Sequence, residues 1–375
     1  MSASGPCWRI TGIRRETRGG AQRVVADVEG SPVWFESADA ELDPSPEAFA
    51  SLLFVPALHH GATVRVDAPL DPTWLEGTRR LPAMFADWWG YRNTYPIEAP
   101  EPGQPASDRV KEAAACFTGG VDSFYTLHTS GDRFGRLMFV HGYDIALADH
   151  VRMASFARSL GEVSERVGKP ALRLESNVRE HPVIASVSWD RTHGAALAAA
   201  GHVLSRAVGT LIIPSSYGLS NIIPWGSHPT TDPLWSTSRV EIVHDDARHT
   251  RQDKIRRIVD DPLAWRHLRV CWENRAPTGN CSACEKCVRT MAVISAYGRL
   301  ADFTVFDSSV SLASRFDTLR TIPEHLVKPW RGLLTLDLAP DVRDAVARLL
   351  KRSERDRMVR RMARWVWRIL RPRGG

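Results

Sequence analysis

Two clusters of residues in this chain have the types and spacings that chemistry requires. The first is Phe117-Thr118-Gly119-Gly120-Val121-Asp122-Ser123. Paired glycines let a backbone turn tightly and bring N–H groups close to a polyanion. Thr118 and Ser123 add hydroxyl donors for phosphate oxygens, and Asp122 can orient a Mg²⁺ shell. The second cluster is Cys271 followed by Cys281, Cys284 and Cys287, a C-x9-C-x2-C-x2-C pattern. Four thiolates close a tetrahedral zinc site, with Zn–S at about 2.3 Å. Gly279-Asn280 supplies the turn ahead of the closely spaced cysteines. Two other readings of the run stay open: an iron–sulfur cluster, although no Cys-Pro follows, and free or redox-active thiols.

A phosphate loop needs a strand to deliver it and a helix whose N-terminal N–H groups and dipole favour an anion. The apolar run 113–117 reads as that strand, and a helix begins over 123–129. Strands at 136–140, 171–175 and 209–214 then alternate with helices at 148–167 and 193–207, and another helix starts near Thr250. This alternation predicts an α/β fold, a parallel doubly wound sheet with helices on both faces. Ligands of such sheets bind beyond the carboxyl ends of the strands. Neither G-x-x-x-x-G-K-[ST] nor G-x-G-x-x-G is present, so the common alternatives for holding a nucleotide are missing.

The same rule nominates further residues. Tyr217 closes Pro214-Ser215-Ser216-Tyr217 at a strand end, and His228 and Asp232 lie in the polar loop 226–232 that follows. They are candidates for substrate contact or proton transfer, against a loop held by its own hydrogen bonds. Arg251 and Lys254, on the first turn of the helix near Thr250, are candidates for phosphate contact, against a solvated face. Asp144 and Asn177 follow strands, where they touch a ligand or cap a turn. Cys116 sits inside the loop's own strand and reads as a buried, inert thiol.

The chain divides in sequence into an N-terminal α+β unit (1–105), the loop-bearing unit with its cysteine site (106–300) and a mainly helical region (301–375). In the first, short strands are expected at 8–12, 22–27 and 32–35, with a tight turn at 29–32, and helices at 46–55 and 73–89. A Pro-rich stretch over 98–105 marks the boundary. Residues 351–375 hold ten Lys or Arg and two carboxylates, so they carry +8 of a net charge of +6; the remaining 350 residues sum to −2. A body close to neutral is not a nucleic-acid-coated surface. In the basic tail, Met358, Met362, Trp365, Val366 and Ile369 keep helical apolar spacing opposite arginines. That pattern suits packing on the body, contact with an anionic membrane through Trp365 and Trp367, or contact with nucleic acid or a partner protein. The start Met1-Ser2-Ala3-Ser4-Gly5-Pro6-Cys7 has no basic region followed by an apolar run, so a cytoplasmic location is expected, where clustered cysteines favour metal over disulfides.

The segment Phe117 to Ser123 resembles the SGGxDS signature of the PP-loop ATP pyrophosphatases, with Thr118 where Ser is usual. Its pairing with the late four-cysteine pattern is similar to the 7-cyano-7-deazaguanine synthase family of queuosine precursor synthesis, over roughly residues 112–298. The resemblance implies an adenine nucleotide alpha-hydrolase-like fold with ATP, Mg²⁺ and structural Zn²⁺. It implies a ligase that adenylates a small-molecule or modified-base carboxylate, releases pyrophosphate and passes the acyl group to ammonia or an amine. Phe117 to Ser123 carry over onto the nucleotide site, with Asp122 and Ser123 as candidate catalytic residues, and Cys271, Cys281, Cys284 and Cys287 onto the metal. A tRNA sulfur transferase of the same class and a non-catalytic ATP-binding module are the alternatives. The N-terminal unit and basic tail lie outside the resemblance, which favours a relative acting on a different acceptor, and an oligomer is open.

Overall fold

The computed structural model describes residues 5–370, with side chains described through residue 363. The N-terminal Met1 to Ser4 and the side chains of Trp365, Val366, Trp367 and Ile369 therefore lie outside the described residues. The chain forms two compact units, residues 1–251 and 252–375.

The first unit is built on one ten-stranded, mostly parallel sheet with helices. It begins with β1 (Cys7–Arg18), β2 (Ala21–Val28) and β3 (Ser31–Ser37) as an antiparallel meander. Glu29 and Gly30 both take positive φ between β2 and β3, a two-residue turn whose twist matches the flanking strands. Next come α1 (Pro46–His60), β4 (Thr63–Val66), α2 (Pro72–Thr78), α3 (Leu81–Trp89) and β5 (Ile97–Glu98). The single helix expected over 73–89 is thus two. Pro82 cannot donate to a preceding turn, and the chain restarts there with Pro82 in the first turn of α3.

The alternating part follows: β6 (Ala113–Cys116), α4 (Val121–Ser130), β7 (Arg136–His141), α5 (His150–Val167), β8 (Ala171–Ser176), α6 (Pro182–Ala185), α7 (Trp189–Val203), β9 (Thr210–Pro214) and β10 (Glu241–Asp245). These five strands are all parallel, in the order β10-β9-β6-β7-β8. The first strand in sequence, β6, is therefore central, and the order reverses between it and β9. One face of these strands carries Ala114, Cys116, Met138, Val140, Leu211, Ile213 and Ile242 into a continuous core with α7 and α1. Phe139 of β7 stacks on Phe156 of α5 on the other face, with centroids 4.3 Å apart.

The sheet does not stop at the Pro-rich stretch. Phe35 and Glu36 of β3 pair antiparallel with Ser176 and Glu175 of β8. Asn177 secures the junction: its Oδ1 accepts from Trp34 N at 2.9 Å, and its Nδ2 donates to the Pro32 carbonyl at 2.8 Å. Ser176 Oγ adds a bond to the Trp34 carbonyl at 2.7 Å. The full order is β10-β9-β6-β7-β8-β3-β2-β1-β4-β5, so residues 1–98 extend the sheet of the loop-bearing segment.

The second unit is helical: α8 (Arg251–Ile258), α9 (Pro262–His267), α10 (Glu285–Ser295), α11 (Leu312–Thr318), α12 (Val327–Leu333) and α13 (Pro340–Leu370). Trp330 and Phe316 meet edge to face at 5.7 Å in its core. No helix among the described residues is long and apolar enough to cross a membrane.

Candidate functional site

The glycine loop occupies the position that the topology favours for a ligand. In parallel sheets, ligands gather outside the carboxyl ends of the strands where the strand order reverses. The loop 117–120 leaves β6 at that point and enters α4 directly. Phe117 N is still tied to the sheet, donating to the Met138 carbonyl at 2.8 Å, and the Phe117 ring meets Phe124 edge to face at 5.2 Å. Gly119 then takes φ of 70°, a left-handed conformation that a side chain would strain, and Gly120 is the extended N-cap of α4. Gly120 has no side chain to cap the helix, so no capping group of its own competes for the first-turn N–H groups.

The first turn of α4 sorts the two candidate catalytic residues into different roles. Ser123 is buried, and its hydroxyl donates to the Gly120 carbonyl at 3.0 Å, bracing the loop from beneath. Asp122 is partly exposed, and its carboxylate meets the Arg251 guanidinium at 3.0 Å. Arg251 thus stands beside the loop, where a cation is useful to a triphosphate. Lys254, one turn on, is fully buried in the second unit rather than on a solvated face.

Behind the loop, α4 is fastened to the end of β10. Thr126 and Ser130 hydroxyls donate to the buried Asp245 carboxylate at 2.7 and 3.0 Å. Tyr125 donates to Asp246 at 2.8 Å. Burial, then that hydrogen bond, pushes the Tyr125 phenol up to about 12. Burial works against Asp246, but bonds from Arg248, Tyr125 and His249 outweigh it and hold its carboxyl well below the usual range. These contacts fix the helix that carries the loop.

Asp232 is fully buried and accepts three hydrogen bonds, from Ser227 Oγ at 2.6 Å, His228 N at 3.1 Å and His244 Nδ1 at 2.7 Å. It clamps its own loop to β10. His228 Nδ1 accepts from Thr230 N at 3.1 Å, while its ring lies 4.7 Å from Trp88; burial, then His244, lowers its pKa. Tyr217 is half-buried against Trp225 at 5.6 Å. That contact begins a row that the sequence did not reveal, running Tyr217, Trp225, His193, Trp189 and Tyr143 with centroids 5.0 to 6.2 Å apart. The available signal was the chain's thirteen tryptophans, two of which, Trp189 and Trp225, lie in this row on either side of His193. His244 had no signal, because it lies on an unforeseen strand, β10, and its partner Asp232 is twelve residues away. Asn177 pins β3 to β8, whereas Asp144 is exposed beyond β7. Cys116 is buried, and burial, then nearby Asp232 and Asp144, pushes its thiol far up.

In the second unit the sulfurs of Cys271, Cys281, Cys284 and Cys287 all lie within 4.8 Å of one another. Cys271 to Cys284 and Cys281 to Cys287 are 4.0 Å each. A tetrahedron with Zn–S near 2.3 Å has edges of about 3.8 Å, so the donor set fits a zinc ion. None of the four is in a disulfide. The backbone is prepared for the cluster. Asn280 Oδ1 accepts from Val270 N and Cys271 N, its Nδ2 donates to the Leu268 carbonyl, and Ser282 takes φ of 53°. Arg315 donates to the Ser282 carbonyl at 3.0 Å and to Asp307 at 2.7 Å, closing the turn from outside. Cys284 N donates to Cys281 Sγ at 3.2 Å, and Cys287 lies in the first turn of α10, where the helix dipole favours a thiolate. Cys271, Cys284 and Cys287 are buried, the closed character of a structural site.

No protein-family model, curated protein or solved structure matches this chain.

Proposed function

We propose that the protein is an ATP pyrophosphatase of the PP-loop type, with a doubly wound nucleotide-binding fold, that adenylates a carboxylate. The observation that carries this reading is the loop 117–123, leaving the central strand at the reversal of strand order and running straight into a helix N-terminus. On this reading the loop N–H groups and the Thr118 hydroxyl bind the departing pyrophosphate. Arg251 balances the phosphate charge, and Asp122 is the residue that would hold Mg²⁺, which supplies charge neutralisation when bound. A carboxylate oxygen attacks the α-phosphorus, the bond to the β-phosphate oxygen breaks and pyrophosphate leaves. An amine or ammonia then attacks the acyl carbon, sheds a proton and displaces AMP. Such a sequence is similar to that of 7-cyano-7-deazaguanine synthase. The four-cysteine site fits structural zinc and takes no part in the chemistry.

The experiment is AMP and pyrophosphate release from ATP and Mg²⁺, with ammonia and a panel of carboxylates that begins with 7-carboxy-7-deazaguanine. Acid-dependent AMP supports the reading, and the responding acid names the acceptor. ATP binding with no AMP from any acid, unchanged in Asp122→Ala, would replace it with a non-catalytic nucleotide-binding module. The sulfur-transferase alternative needs a reactive thiol outside the metal site. Only Cys7, which is exposed, and Cys116, which is buried, remain for that role, and alkylating those two while zinc stays bound separates the two enzyme readings.

A further inference from the structure

The long helix α13 carries two apolar stripes, and among its described side chains only the first is covered. In its N-terminal half, Val342, Val346, Leu349 and Ser353 are buried where the helix packs on α11 and α12. Ser353 ends this stripe, accepting from Ile322 N at 3.0 Å and donating to the Leu349 carbonyl at 2.8 Å. Beyond it the apolar residues change sides. Met358, Val359 and Met362 are 59, 58 and 67 % exposed. At about 100° per residue, their stripe is centred about 160° around the helix from the packed one. The elements that bury the first half therefore cannot bury the second. The sequence continues the new spacing with Trp365, Val366 and Ile369.

Charge follows the same change. After Asp356 the sequence holds seven arginines and no carboxylate. By helical spacing, Arg357, Arg360 and Arg361 lie opposite the exposed apolar stripe, and the sequence positions of Arg364 and Arg368 continue that row. Arg361 meets only a partner that is itself exposed, Glu324 at 3.3 Å, among the ion pairs described for it.

From this we propose that the helix from about residue 354 onward is a docking surface for an anionic lipid bilayer, lying in the interface without crossing it. A bilayer surface uses both faces at once. The apolar stripe enters the boundary between headgroups and acyl chains, and the arginines lie level with lipid phosphates. A nucleic acid would engage the arginines and leave the methionine stripe in water. The occupant is chosen by the pairing of a wide apolar face with an unbroken positive one.

The test is co-sedimentation of the full chain with phosphatidylcholine vesicles, with and without phosphatidylglycerol, over a salt series. Binding is expected only with the anionic lipid, and it should weaken as salt screens the arginines. Met358→Glu with Met362→Glu should reduce vesicle binding more than about tenfold. Circular dichroism and melting temperature should stay unchanged, because both side chains are exposed. Arg364→Gln with Arg368→Gln should cost roughly fivefold per arginine. Absence of vesicle binding overturns the proposal, as does binding indifferent to the methionine pair. Tighter binding to duplex DNA or RNA than to vesicles would reassign the surface to nucleic acid. Self-association abolished by the methionine pair, without vesicle binding, would reassign it to a second copy of the chain.

Discussion

The glycine loop of the first unit and the cysteine cluster of the second both sit where a turn with positive φ leads into a helix, yet they are built in opposite ways. The loop offers backbone N–H groups, a mostly buried Asp122–Arg251 pair and no side-chain cap, with its rigidity placed behind it in the contacts of α4 to Asp245 and Asp246. The cysteine cluster turns its donors on one another and is locked from outside by Asn280 and Arg315. One arrangement leaves backbone donors open at a helix start, as the proposed nucleotide site requires. The other gathers four sulfurs that could close around one metal ion.

Four experiments separate these characters. Cys284→Ser with Cys287→Ser should have the largest effect: loss of stoichiometric zinc and unfolding of the second unit, since structural zinc supplies on the order of 10 kcal/mol in small sites. Metal analysis with limited proteolysis reads it, and a stable, zinc-free variant with native helix content would remove the distinction. Asp122→Ala comes next. Pyrophosphate release should fall by roughly 10²–10³-fold, as for loss of one preorganised charged contact. The melting temperature should also fall, because the mostly buried Arg251 guanidinium loses this carboxylate, so activity is compared at a temperature where the variant stays folded.

The third concerns acid. His202 on α7 is buried, and burial pushes its pKa down from 6.5 to about 4. The unfolded chain takes up a proton near 6.5 that the folded ring refuses until about 4. Stability of the first unit is therefore full above that window and falls as pH drops through it. It levels off below, after a loss of ~3 kcal/mol. Urea midpoints compared between the native chain and His202→Leu isolate this slope, since acid release of zinc from the cysteines is common to both. Equal slopes would refute the assignment. Thr118→Ser should have the smallest effect, within about threefold in pyrophosphate release, because the hydroxyl that meets phosphate is retained.

How far the sequence revealed these sites follows from how local their physics is. The loop and the cysteine run are short-range patterns, and their flanking strand and helix could be read from adjacent residues. The helix break before Pro82 was missed because apolar spacing continues through it. β10, Glu-Ile-Val-His-Asp, was missed because it lacks an apolar run: the buried Asp245 is satisfied by bonds from α4 and Arg133, and His244 by its bond to Asp232. The exposed stripe of α13 was visible as spacing, but its rotation relative to the packed stripe needed the position of Ser353.

The β3–β8 junction has a consequence for anyone dividing this protein. A fragment beginning at residue 106 would keep the phosphate loop and the five parallel strands β6 to β10, and would look self-sufficient in sequence. It would also lay bare the ladder of β8 as an unpaired edge, and uncover the apolar side of α7 that α1 shields. Exposed edges of that kind recruit other chains. Such a fragment should be recovered mainly as insoluble aggregate, and coexpression of residues 1–105 as a separate chain should bring it back into solution.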